Sequence, residues 1–189
     1  MYQKLSAIIN SVSPISSKSL AKIQKLVEFY DINKGQSITA VGQNNNQEYF
    51  ILEGICKSYL YTPEGDDVTI SFFMSGSIIS PWTTRHKDGK SILNIRALTD
   101  TVIATIRADE FEQLMVEDLE IRQFGNTVLR NELMGKVQKE IALASLKGKD
   151  RLQLLRDHFP NIENLVPHSD IASYLGITTI SLSRLRTQS

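Results

Sequence analysis

Between residues 31 and 107, six glycines (Gly35, Gly42, Gly54, Gly65, Gly76 and Gly89) cut the chain into short segments rich in Ile, Val, Thr, Tyr and Phe. This punctuation constrains the fold more than any other feature, because the runs it separates are short and have strand composition. The segments 48–52, 55–61, 68–73 and 92–97 read as strands, with Pro63-Glu64-Gly65-Asp66-Asp67 a strong turn between two of them. Many short strands at this spacing predict a β-sandwich, jelly roll or barrel. Asn44-Asn45-Asn46 reads most simply as a hairpin tip.

Both flanks are helical. Within residues 1–30, Leu20, Ile23, Leu26, Val27 and Tyr30 fall on one stripe, and Ser16 or Ser17 can cap that helix. A short helix is expected over 109–115, and a longer one from about 118 to 146. In the longer helix Leu129, Leu133, Val137, Ile141 and Ala144 make an apolar seam on an otherwise polar surface. Periodicity alone leaves open whether that seam is intramolecular core or an interface. Lys147 to Asp150 break the helix, residues 151–158 form another, Phe159-Pro160 ends it, and 161–164 reads as a loop.

The most specific local pattern lies at 167–186. Ser169 can cap a helix whose Ile171, Ala172 and Leu175 face inward, and Gly176 can end it in the left-handed conformation. Thr178 can cap a second helix two residues later, with Leu182 and Leu185 toward the core and Thr179, Ile180, Ser183, Arg184 and Thr187 on the opposite face. Helix, glycine turn and a second helix with a mostly polar outer face make a helix-turn-helix. In the major groove, Thr179, Ile180, Ser183 and Arg184 are the candidate base readers, Arg184 being suited to a bidentate pair with guanine. His168, Ser169, Thr178, Ser181 and Arg186 are the candidate phosphate contacts.

These residues carry a resemblance. The segment 170–178, followed by Ser181-Leu182-Ser183-Arg184, resembles the helix-turn-helix of the Crp/Fnr superfamily, the cyclic-AMP receptor protein and its relatives. It is most similar to the branch whose chains end soon after the recognition helix. The upstream order of helices, glycine-punctuated roll and long helix is similar as well. The resemblance implies an α+β chain: a cyclic-nucleotide-binding-like antiparallel β-roll over 1–117, a dimerisation helix over 118–147 and a DNA-binding domain over 148–189. It further implies a homodimeric transcription regulator on a two-fold operator, with double-stranded DNA, a second copy, RNA polymerase and a small-molecule effector as partners. The alternative is a sensing or interaction module without sequence-specific DNA binding, which Ile180 at a base-reading position keeps open.

The expected signal is not cyclic AMP. Cyclic-nucleotide members of the family carry Gly-Glu near the start of the phosphate loop and Arg followed by Ser or Thr at its end. Here those positions read Gly76-Ser77 and Lys90-Ser91, and Lys lacks the planar fork of Arg. An effector pocket would draw on Trp82, Arg85, Lys90, Ser91 and Arg96, although charged loop residues are more often simply solvated. No cofactor is expected, and the effector is unidentified.

Composition narrows the remaining classes. One cysteine, Cys56, excludes an internal disulfide framework and any multi-cysteine metal centre supplied by this chain alone; in an alternating strand it reads as a buried, inert thiol. The three histidines occur singly, without metal-ligand spacing, and no nucleophile turn or phosphate-cradling lysine loop is present, so an enzyme is not expected. No window approaches the ~18 apolar residues of a membrane span, and the N-terminus has no signal-peptide core, so the expected location is the cytoplasm. The formal net charge is zero, but residues 136–189 hold eight Lys and Arg against five acids, and residues 1–135 hold 13 against 16. The neutral total conceals a mildly basic C-terminal part, compatible with DNA.

Overall fold

The computed structural model describes residues 1–187. Two helices, α1 (Tyr2–Val12) and α2 (Ser17–Gln24), precede eight strands: β1 (Glu28–Ile32), β2 (Ser37–Thr39), β3 (Gln47–Glu53), β4 (Ile55–Tyr61), β5 (Asp67–Met74), β6 (Ile78–Ile79), β7 (Asn94–Ala97) and β8 (Thr101–Arg107). Six helices follow: α3 (Ala108–Glu117), α4 (Leu119–Ser145), α5 (Gly148–His158), α6 (Ile162–Leu165), α7 (His168–Leu175) and α8 (Thr179–Thr187). The strands form two four-stranded antiparallel sheets, ordered β1-β8-β3-β6 and β2-β7-β4-β5. This is the jelly-roll-like β-roll of an α+β chain.

Alternation along the strands explains the pairing of the sheets. Ile51, Cys56, Ile79, Ile95 and Ile103 meet between them, each almost fully buried. On the outer face of the first sheet, Phe50 and Ile106 pack under Leu5, Ile9, Ile23, Ile121 and Phe124 from α1, α2 and α4. The α4 helix begins at Asp118, whose side chain accepts from the backbone N–H groups of Glu120 and Ile121. A hydrogen bond from Lys22 is the main reason the Asp118 carboxyl is held down at about 2.

Four expectations are corrected. The N-terminal helical stripe stops at Gln24; Val27 lies beyond it and Tyr30 is a strand residue opposite Ile103, since pairing with β8 outweighs local helical spacing. Asn44-Asn45-Asn46 is no hairpin tip. Asn45 is 1% exposed, its amide donates to Thr84 Oγ1 at 3.1 Å, and its carbonyl accepts from the Tyr49 hydroxyl at 2.9 Å. The 161–164 loop contains α6, entered through Asn161 in the left-handed conformation and anchored by the buried Ile162. Ser169 does not cap α7, because the helix starts at His168, with Pro167 at the N-cap position two residues before Ser169.

Candidate nucleic-acid interface

The α7–turn–α8 unit follows from local chemistry. Gly176 takes φ +63, its N–H donates to Ser173 O, and the Ile177 N–H donates to Ala172 O, the paired bonds of a Schellman ending. Thr178 Oγ1 then accepts from the Ser181 N–H at 3.1 Å and starts α8. Ile171, Ala172, Leu175 and Leu182 are buried, with Leu185 packed beside them. Thr179, Ile180, Ser183, Arg184 and Thr187 are all exposed, Ile180 to 64%. The sequence-derived base readers therefore share one outward face.

The candidate phosphate contacts divide into two groups. Thr178 and Ser181 hydroxyls lie 2.9 Å apart at the start of α8. Arg186 is occupied: its Nε donates to Glu163 Oε1 at 2.9 Å and one terminal nitrogen lies 3.2 Å from His168 Nδ1. Glu163 also takes Arg156 Nε at 2.6 Å, and that hydrogen bond is the main reason its carboxyl titrates below its ordinary value. Ser169 is exposed. Among the described residues no carboxylate pairs with Arg184, so its fork of donors remains available to a ligand. Glu163 is a residue the sequence reading missed; its spacing from Arg156 and Arg186 gives no one-dimensional signal.

A second missed feature ties this unit to the roll. Lys57 on β4 is fully buried and donates to both oxygens of Asp67 at 2.7 Å and to Asp170 Oδ1 at 2.8 Å. Arg96 donates to the same Asp67 at 2.8 Å and lies 4.7 Å from the Tyr59 ring centre. The Thr69 N–H donates to Ser173 Oγ at 2.9 Å. Around these, Ile55, Phe72 and Leu98 of the roll join Leu152, Leu155, Ile171 and Leu175 in one apolar cluster. The helix-turn-helix is docked on the roll by a shared core with a charged centre.

The proposed effector residues are dispersed by their contacts. Arg96 belongs to that charged centre. Arg85 donates to Asn45 O at 2.9 Å and to Asn46 Oδ1 at 2.6 Å. Ser91 is buried, its hydroxyl bonded to Thr84 O and Leu93 O, while Lys90 is exposed. Trp82 is 58% exposed and lines a cavity of about 20 Å³, room for one water, with Glu48, Phe111 and Leu129. Gly76 and Ser77 close the turn from β5 to β6, bonded to Ile51 O and Met74 O. Cys56 is buried and its thiol is pushed up to about 11, chiefly by burial.

Beyond Leu129 the seam on α4 is largely exposed. Leu133, Val137 and Ile141 are 62%, 39% and 58% exposed, Ala144 is exposed, and Leu129 is half-buried. Among the described residues no three His, Cys, Asp or Glu side chains converge to hold a metal, and no helix is long and apolar enough to cross a membrane.

Comparison with known proteins adds independent findings. The profile of the cyclic nucleotide-binding domain matches residues 31–118. The fumarate and nitrate reduction regulatory protein of Yersinia pestis is 26% identical over 165 residues, covering 82% of this chain. The chain spans 65% of that protein's length. The protein of the same name from Vibrio cholerae is 24% identical over 183 residues, covering 90% of this chain and 72% of its own. Among solved structures, FixK2 from Bradyrhizobium japonicum superposes with a TM-score of 0.74 at 18% identity, over 86% of this chain and 83% of that one. The c-di-GMP responsive global regulator CLP of Xanthomonas campestris does so at 0.71 and 15% identity, over 92% and 91%. These superpositions establish the shared fold.

Proposed function

We propose that this chain is a regulator of the Crp/Fnr type, a homodimeric, DNA-binding transcription regulator that reads a two-fold operator through α8. The match of residues 31–118 to the cyclic nucleotide-binding domain and the regulatory proteins among its sequence relatives support that reading. The observation that carries this reading is the outward face of α8, where Thr179, Ser183 and Arg184, with which no carboxylate among the described residues pairs, stand together on a helix held by a complete helix-turn-helix core. The regulatory names of its sequence relatives support the same class over an enzyme. Two copies paired along the α4 seam bury Leu133, Val137 and Ile141 and set the two recognition helices to half-sites one DNA turn (~34 Å) apart. DNA and a second copy are the partners, and the cytoplasm is the place of action.

The control signal enters at the β-roll. Cyclic AMP is a poor match, since Gly76-Ser77 lacks a carboxylate and Lys90 offers a point charge in place of a guanidinium fork. A change in the roll has two routes to α8: along α4, and directly through Lys57 and Asp170. One observation favours a second reading, an interaction module without sequence-specific DNA binding: the exposed apolar Ile180 at the centre of the reading face.

Selection of bound sequences from random duplex DNA at physiological salt separates the two. A two-fold enriched motif is expected, and Arg184→Ala should weaken specific binding by about 1–3 kcal/mol and relax the preference at one base pair. No enrichment overturns the regulator in favour of the interaction module.

A further inference from the structure

A groove of about 580 Å³ runs between the C-terminal half of α4 and helices α5 and α7, a size within the range of small-molecule sites. Leu143, Leu146, Leu154 and Leu155 supply much of its wall, and the first three remain 41%, 37% and 49% exposed within it. Two cations, Arg151 and Lys139, line this apolar hollow. Among the described residues, Arg151, on α5, makes a single long hydrogen bond of 3.4 Å to Leu143 O, and its buried Nε has no partner. A buried charged donor left unsatisfied is costly, so the site calls for an acceptor.

Lys139 is the other cation. Its ammonium donates to Ile70 O and lies 3.7 Å from the Tyr174 ring centre, and burial presses its pKa down to about 8. Asp157 is the acid on the lining, and its carboxylate already accepts from Gln153. Among the described residues, neither Lys139 nor Arg151 has an ion-pair partner.

The groove is not the surface that a second copy would cover. At about 100° per residue, Gly135, Lys139, Ala142 and Leu146 lie roughly half a turn around α4 from Leu133, Val137 and Ala144. Pairing along the seam leaves the groove open, with Ile141 at the rim.

We propose that this groove binds a small amphipathic anion, an acyl chain ending in a carboxylate. The chain lies against the leucines, and the head sits against Arg151 and Lys139, supplying the anionic partner that neither has among the described residues. An occupant there touches α4, α5 and α7 together, so it acts on the angle between the long helix and the helix-turn-helix. The site stands independently of DNA reading, since its occupancy is measured without DNA.

The test is calorimetric titration of the full chain with decanoate, and in parallel with decan-1-ol and decyltrimethylammonium, which share the chain but not the anionic head. One saturable decanoate site per chain is expected, at least about tenfold tighter than for the alcohol or the ammonium. Arg151→Gln should reduce decanoate to the level of the alcohol. Ala142→Trp, which fills the groove, should abolish both, with the light-scattering mass unchanged. Unsaturable binding, equal binding of the three head groups, or binding undiminished in both variants overturns the proposal. If either variant fails to fold, the comparison of head groups on the unmodified chain decides alone.

Discussion

Lys57 Nζ lies 2.8 Å from Asp170 Oδ1, an ion pair between strand β4 of the roll and the first helix of the helix-turn-helix. The lysine is fully buried, and the second Asp170 oxygen, also buried, has no partner. Lys57 is shared between Asp67 and Asp170, and its bond to Asp170 supplies the counter-charge of that buried carboxylate. Lys57→Met removes the only charged partner of Asp170 among the described residues, whereas Asp67 keeps Arg96. The expected loss is about 3–5 kcal/mol in urea unfolding, with part of it recovered when Asp170→Asn is added. A loss below about 1 kcal/mol would show that the pair does not hold the two parts together.

Glu48 gives a pH dependence with a defined sign. Burial raises its carboxyl from 4.5 to about 8, against the lowering effects of Ser80 and Arg85. Between these values the folded chain holds a proton that the unfolded chain has lost, so stability is greatest near the lower value and declines as pH rises toward the upper. Burial of Glu132 acts in the same direction. Lys139 is charged in both states below about 8 and adds little slope there. Glu48→Gln should flatten a decline on the order of a few kcal/mol in urea unfolding between about pH 5 and about pH 8. An equally steep decline in the variant would falsify this assignment.

Gly54 and Gly35 separate two costs of a side chain. Both have positive φ, +89 and +84, but a Cβ on Gly54 would come within 2.5 Å of Asp100 O and Thr101 Oγ1, whereas Gly35 faces open space. Gly35→Ala should cost about 1–2 kcal/mol for the left-handed backbone alone. Gly54→Ala adds a clash with the backbone and should cost about 2–5 kcal/mol. Equal shifts in thermal unfolding would count against the close approach of the β3–β4 turn to residues 100–101.

The α4 seam is tested by charge. Leu133→Glu with Val137→Glu alters side chains that are exposed in a single chain, so the fold of one copy should be little affected. The mass by light scattering should fall to that of one chain while the far-ultraviolet circular dichroism is unchanged. A dimer that persists would place the interface elsewhere.

Much of this molecule was legible one residue at a time. The β-runs, the long helix and the 176–178 turn each depend on local preferences: alternation, apolar periodicity, a glycine able to take positive φ, a threonine able to cap. The reading face of α8 followed from the same periodicity, because Leu182 and Leu185 specify which side is buried. Even the inert character of Cys56 was visible in its strand.

Local patterns failed wherever a partner distant in sequence decides the outcome. Asn45 looked like a turn residue, and only Thr84 and Tyr49 make it a buried pin. Tyr30 fits a helical stripe, and only β8 makes it a strand residue. Arg96 looked like a ligand contact, yet Asp67 claims it for the centre that joins roll to helix-turn-helix. By itself the sequence determined the long helix, the central strands, the 176–178 turn and the face that reads DNA in our proposal, since these arise from short-range sterics and periodic burial. Tertiary structure alone decided which charges are paired and which remain open, because a buried charge persists only beside the partner that folding brings to it.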